Sequence, residues 1–475
     1  MKMLSNLPTL FLLCAAAAGA AALAALPSGA EAPPAAAPPP PEEKVEQVLD
    51  VAPVWAGHPV GFALLTHKDR QFVAFYDDQR RMTVGERKLG ETAFRFARLP
   101  ETVGWDSHNF ITMTADDDGY LHLSGNMHAV PLIYFRTTKP LDIDSFERVP
   151  QMVGPADEAR ATYPSFMRGP KNELIFTYRS GMSGDGSQIY NVYDHKARTW
   201  SRLLDQPLTD GEGKMNAYLS GPSKGPDGYY HLIWVWRDQH GAELNHDLSY
   251  ARSKDLRRWE KSDGTPLALP IRLGTAEIVD PVPVRGGMIN GNTKLGFDTK
   301  KRPIITYHKF DENGKTQVYN ARREKDGWKI YRTTDWDYRW EFGGYGSIVF
   351  EVRVQGVRIE EGGKLSLRYQ HAKYGDGTWQ LDEETLRPVG SLPDRPPFPP
   401  SISGVTSPIE GMQVVWAGDL ARPAEPGVRY VLRWETLGQN RDRPRPGDPP
   451  PPGMLRLYKL RRGTAPDEAA RTGKR

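Results

Sequence analysis

Four residues between positions 108 and 179 can together carry out proton-transfer chemistry: His108, His128, Tyr163 and Arg179. The two imidazoles can take up or release a proton, the phenol can give one, and the guanidinium is a permanent cation. A base, an acid and a fixed positive charge are what removal of a proton beside a carboxylate requires. Each residue alone has a plainer explanation, such as a turn histidine bonded to backbone or a tyrosine packed under an arginine stem. Their occurrence on successive strand-and-turn units of one repeat favours chemistry.

The elements that must position them follow from local pattern. His108 stands in GWDSHNFITMTADDDGYLHLSG, just before a strand predicted over Phe110 to Thr114, so it belongs to the loop leading into that strand. His128 is expected on a similar loop in the next unit, whereas His122 alternates within a strand and reads as a packing residue. Tyr163, in ATYPSFM, opens a strand whose backbone Pro164 restricts. Arg179 ends the following strand, and the hairpin between them brings the two side chains to neighbouring strand ends. The glycine-rich turn SGMSGDGS (180–187) opens another strand and not a helix, so it offers no helix N-terminus to a phosphate. Asp106, Asp116 and Asp185 are assigned to turns.

The repeat itself is a turn rich in Asp, Gly or Asn, an alternating strand, a second strand ending in Tyr or Arg, and then a Trp. It is clear in GPKNELIFTYR (169–179), GPDGYYHLIWVWR (225–237) and DTKKRPIITYH (298–308), with weaker copies at 72–86, 360–370 and 426–435. About seven copies at this spacing, each with four short strands, predict an all-β, seven-bladed β-propeller. Radial closure would leave no long strand edge exposed.

Residues 1–30 have the pattern of a secretory signal peptide: Lys2 supplies the positive start, Leu4 to Leu26 carries no charge, and small residues end the run. A secreted or periplasmic location is expected, with no stable membrane insertion after cleavage. Cys14 is the one cysteine of the 475 residues, and Leu13 before it argues against a lipid anchor. The exported chain would then have no disulfide or cysteine-based metal site, so its stability must come from a large core. Residues 31–44 read as a Pro/Ala tether, 45–462 as the propeller and 463–475 as a polar, disordered tail. The net charge of +3, with acids and bases interleaved, gives no support to nucleic-acid binding. A monomer is expected.

The blocks HNFITMTADDDGYLHLSGNMHAVPLIYFR and TYPSFMRGPKNELIFTYRSGMSGDGSQIYNVYD resemble the BNR-repeat family that contains the ulvan lyases of polysaccharide lyase families 24 and 25. The likeness fades to repeat pattern toward the C-terminus. It implies a propeller that cleaves an acidic polysaccharide by β-elimination at a uronic acid. His108 matches the histidine of the family's H-N block, His128 the second histidine, Tyr163 the tyrosine of the Y-P block and Arg179 the arginine of the Y-R-x-G block. Tyr218, in MNAYLSGP, matches a further tyrosine. With Asn109 and Arg179 it is assigned to substrate binding.

The chemistry implied has Arg179 pairing bidentately with the uronate carboxylate while lowering the Tyr163 pKa, with His108 and Tyr163 as base and acid. Some relatives hold a structural zinc through cysteines and histidines. The cysteines are missing here, so no metal is carried over; no cofactor is required for the chemistry, and a structural ion elsewhere is left open. A rhamnosidase-type glycoside hydrolase and a non-catalytic sugar-binding propeller are the alternatives.

Overall fold

The strand Tyr230–Asp238 shows how the repeat becomes a stack of sheets. Its alternate residues Leu232, Trp234 and Trp236 pack into one apolar cluster, while Ile233 and Val235 pack into another. Side chains of a strand alternate between faces, so a run that is apolar at every position must be covered on both. Arg70–Tyr76 and Leu121–Gly125 are buried along nearly their whole length in the same way. That arrangement is what a propeller's radially packed sheets supply.

The structure, a computed structural model, describes residues 43–394, 396–421 and 425–463. The expected signal peptide, Cys14, most of the tether and the tail from residue 464 lie outside the described residues. Within them the chain forms seven antiparallel sheets. Six follow in chain order and open with Ala63–His67, Ile111–Ala115, Ala161–Arg168, Met215–Lys224, Lys294–Phe297 and Val352–Val354. The remaining sheet takes Met412–Gly418, Val428–Leu437 and Gly453–Arg462 from the C-terminal part, and Glu43–Val54 completes it by pairing with Gly453–Arg462. The first described strand thus starts at Glu43, two residues inside the expected tether.

Pairing of the first and last strands ties the two ends of the fold into one sheet. The join is sealed where Ala63–His67 lies beside Met412–Gly418. There the Thr66 backbone N–H donates to Asp419 Oδ1 at 2.8 Å, and Phe62 stacks on Trp434 with centroids 4.4 Å apart. The fold is an all-β propeller. Its helices among the described residues are single short turns.

Residues 253–260 (SKDLRRWE) make a tight turn between strands. Ser253 Oγ accepts from the Asp255 and Leu256 N–H groups, and Leu256 takes the positive φ of 62°.

Candidate active site

Asp106 organises the site. His108 lies two residues further on, so the Asp106 carboxylate accepts from the His108 backbone N–H at 2.9 Å and from its Nδ1 at 2.6 Å. The other carboxylate oxygen is hydrogen-bonded to Nδ1 of His128. Burial works to raise the Asp106 pKa, but the hydrogen bonds from both histidines outweigh it and hold the carboxyl far below the ordinary range. An ionised carboxylate can only accept, so both Nδ1 atoms must carry a hydrogen. In its neutral form a ring so bonded keeps its lone pair on Nε2, which has no hydrogen-bond partner among the described residues. The rings stack with centroids 4.2 Å apart, and His108 lies 5.8 Å from the Tyr163 ring.

His128 reaches this place by an unexpected route. It stands in a short strand, His128–Val130, that leaves its own sheet and pairs with Ala161 and Thr162 of the next. Thr162 Oγ1 joins the pieces, accepting from the Ala129 N–H at 2.8 Å and from Arg179 Nη2 at 3.1 Å. Tyr163 follows at φ +56° inside a β-bulge between Thr162 and Ser165, not at a strand start. A bulky residue held in the left-handed region is costly and re-aims its side chain. Here the ring is turned toward Arg179, whose guanidinium carbon lies 4.9 Å from its centroid.

Arg179 is buried, at 2% exposure, and two of its three nitrogens are already used. Nε donates to the Gly181 carbonyl at 3.2 Å and Nη2 to Thr162, leaving Nη1 buried without a partner among the described residues. Arg179 is not thereby exhausted as a donor: both hydrogens of Nη1 and the second hydrogen of Nη2 remain for an anion. It does not lower the phenol of Tyr163 overall: burial is the largest influence, Tyr218 adds to it, and together they hold the pKa above the usual value despite Arg179 and Arg237.

The next sheet repeats the device. Tyr218 comes from its first strand and Arg237 from the end of its second, and the guanidinium lies 4.1 Å from the Tyr218 centroid. Arg237 Nη1 donates to the Tyr218 hydroxyl at 3.1 Å, and its Nη2 is hydrogen-bonded to Asn290 Oδ1. Arg237 was overlooked in the sequence although WVWR ends one repeat just as TYR ends another. Asn109, expected at the substrate, does not line the cavity: its carbonyl accepts from the Tyr76 hydroxyl at 2.7 Å.

A cavity of about 440 Å³ collects these groups, with His108, His128, Tyr163, Arg179, Tyr218 and Arg237 in its wall. Among the described residues neither Asp nor Glu lines it. A second cavity, of about 580 Å³, is lined from the first strands of several sheets and so lies in the central channel. Tyr163, Arg179, Tyr218 and Asn290 belong to both walls and form the layer between the two spaces.

Asp116 and Asp185 keep the turn roles read from sequence, accepting from backbone N–H groups of Tyr120 and Met182. Asp106 does more, and the turn reading of it is corrected. Asp442 was also missed. It accepts from the Ser107 N–H and hydroxyl and from the Ser347 N–H, at 3.1, 2.8 and 2.8 Å, and so ties the His108 loop to the other side of the cavity.

Asp106, His108 and His128 are the one group of donors among the described residues with a metal-binding composition. Nitrogen and oxygen ligands on one tetrahedral zinc stand roughly 3.3 Å apart, given bonds near 2.0–2.1 Å. The 2.6 Å separation of His108 Nδ1 and Asp106 Oδ1 is a hydrogen-bond distance.

Fold and site thus define a β-propeller with a carboxylate-free pocket walled by imidazole, phenol and guanidinium groups. A family model described as "BNR repeat-containing family member" matches residues 70–336, and the chain belongs to that family. No curated protein sequence matches it. Among solved structures, the polysaccharide lyase Uly1 is similar at 14% identity and a TM-score of 0.57, covering 88% of this chain and 99% of that one. A PL25 ulvan lyase is similar at 13% identity and a TM-score of 0.54, covering 86% and 94%. A PL25 ulvan lyase bound to -[GlcA(1-4)Rha3S]- gives 13%, 0.55 and the same coverage. At such identities the likeness is one of fold.

Proposed function

We propose that this protein is a secreted lyase that cleaves an acidic polysaccharide of the ulvan type, containing uronate and rhamnose, by β-elimination at the uronic acid. The carrying observation is the ionisable make-up of the cavity: His108, His128, His240, Arg179 and Arg237 line it, with no carboxylate among them. Such a wall attracts an anionic sugar. A conventional glycoside hydrolase needs two carboxylates flanking the bond, and this wall supplies none. The lyase structures of like fold agree with the proposal, and the N-terminal segment of the sequence supports export.

In this reading the uronate carboxylate pairs with the Arg179 guanidinium, which lines the cavity and keeps unspent N–H donors. Pairing there offsets the charge that builds up on the carboxylate as the C5 proton leaves. His108 Nε2 accepts that proton, since the ring's other nitrogen is committed to Asp106. The C5–H electrons form the C4–C5 double bond, the bond from C4 to the glycosidic oxygen breaks, and the Tyr163 phenol protonates the departing oxygen. A phenol with a raised pKa stays protonated at neutral pH and so is in the form this step requires. His128, stacked on His108 and sharing its carboxylate, steadies the cationic ring that results. Solvent then returns a proton to Tyr163 and removes one from His108.

The test is purified protein on ulvan, glucuronan and other uronate polysaccharides, followed by ultraviolet absorbance and product mass. Unsaturated uronate products are expected from the wild type. His108→Ala and Arg179→Ala should release none while keeping the wild-type circular dichroism spectrum. Wild-type rates in either folded variant would overturn the assignment, and binding without cleavage by the wild type would reduce the protein to a sugar-binding propeller.

A further inference from the structure

One side of the cavity is unused by the chemistry above and is built differently. The chain between Arg332 and Val352 forms no strand, yet it has a core of its own in which Trp340, Phe342, Ile348 and Phe350 pack with Ala242 and Ile289. Tyr345, at its tip, is left 66% exposed and lines the cavity. The ring therefore offers an open face to whatever occupies the cavity.

The backbone that carries the ring is held in place. Gly344 donates its N–H to Glu243 at 2.8 Å and accepts from Ala242 at 3.1 Å. Arg441 Nη1 donates to the carbonyls of Gly343 and Tyr345 at 2.7 and 3.3 Å, and Ser347 is tied to Asp442. Gly346 sits at φ +75°, where a Cβ would meet the Arg441 carbonyl at 2.3 Å, so only glycine lets the two segments approach so closely. Across from Tyr345 the His240 ring centroid is 6.1 Å away, and its Nδ1 is hydrogen-bonded to Ser183 Oγ at 2.6 Å. Met182, 39% exposed, is a second apolar side chain on the same wall.

We infer that Tyr345, with Met182, His240 and Ser183, forms a second sugar subsite in which the apolar face of the pyranose next to the cleaved uronate lies on the Tyr345 ring. This rests on the lyase reading for the identity of the neighbouring site. A polymer bound at the Arg179 end must continue out of the cavity, and this wall joins a fixed aromatic surface to polar groups that can bond ring hydroxyls. Sugars present C–H-rich faces that pack on aromatic rings and hydroxyl rims that do not, so the combination suits one. The pinned loop means that no ordering of the platform opposes binding.

The experiment compares wild type, Tyr345→Ala and Tyr345→Phe on ulvan for kcat and KM, with binding of ulvan oligosaccharides measured by calorimetry. The alanine variant should raise KM about tenfold, the loss confined to KM and to binding, and phenylalanine should recover most of it. An unchanged KM in a folded Tyr345→Ala protein would overturn the subsite and leave the lyase reading intact. If the wild type formed no unsaturated product, the lyase reading would fail. Oligosaccharide binding lost with alanine and kept with phenylalanine would still support the subsite. Absence of oligosaccharide binding by the wild type would overturn it.

Discussion

Replacing Asp106 by asparagine isolates the central claim about the two histidines. The amide has nearly the shape of the carboxylate, but only its oxygen can accept a hydrogen bond, whereas its nitrogen donates. Two Nδ1–H groups now converge on Asp106, so one of them must lose its acceptor and face a donor. The ring so affected does better with its hydrogen moved to Nε2. If that ring is His108, the lone pair meant for the C5 proton is gone. The lost bond is charge-assisted and about a quarter exposed on both sides, worth roughly 1.5–3 kcal/mol. At about 1.36 kcal/mol per decade this corresponds to roughly 10- to 150-fold in kcat. The assay is the initial rate of ultraviolet-absorbing product, read with nitrogen-15 NMR of the histidine rings. The expected result is a fall in kcat together with an Nε2–H signal absent from the wild type. A folded variant with wild-type kcat and both rings still protonated on Nδ1 would refute the reasoning.

Tyr163→Phe should lower kcat by about 10²- to 10⁴-fold, since it deletes the proton donor and keeps the ring against Arg179. Because the phenol is raised in the free protein, kcat/KM should show no alkaline limb from this group below its ordinary value of about 10. His308, buried against Trp340 and lowered by burial to about 4, sets an acid dependence. Between pH 6.5 and 4 the unfolded chain binds a proton that the folded one excludes, so stability falls as pH drops through that window and levels off below it. The loss is on the order of 3 kcal/mol, measurable by urea unfolding, and His308→Gln should flatten it. Trp234→Ala should cost about 3–5 kcal/mol of stability, because its side chain is fully buried between sheets.

What the sequence disclosed was local. Strand and turn signals recur within a few dozen residues, so the repeat, the all-β class and the positions of Tyr163 and Arg179 at adjoining strands were all legible. Contributions from far along the chain were not. The pairing of Glu43–Val54 with Gly453–Arg462 closes the fold with no neighbouring signal, and Asp442 meets Ser107 across 335 positions. Asp106 was misread for another reason. The spacing that makes an Asx-type turn also puts its carboxylate on the histidine ring, so the plainer role masked the second. Sequence named Arg179 but could not say which of its nitrogens the fold would consume, and that depends on a threonine hydroxyl and a glycine carbonyl.

The most direct measurement is proton NMR of the new non-reducing end formed when the wild-type protein degrades a uronate polysaccharide. Elimination driven by His108 and Tyr163 predicts a vinyl proton at C4 of an unsaturated uronate, appearing far more slowly when Tyr163→Phe is used. Chain cleavage that leaves only saturated ends would contradict the account.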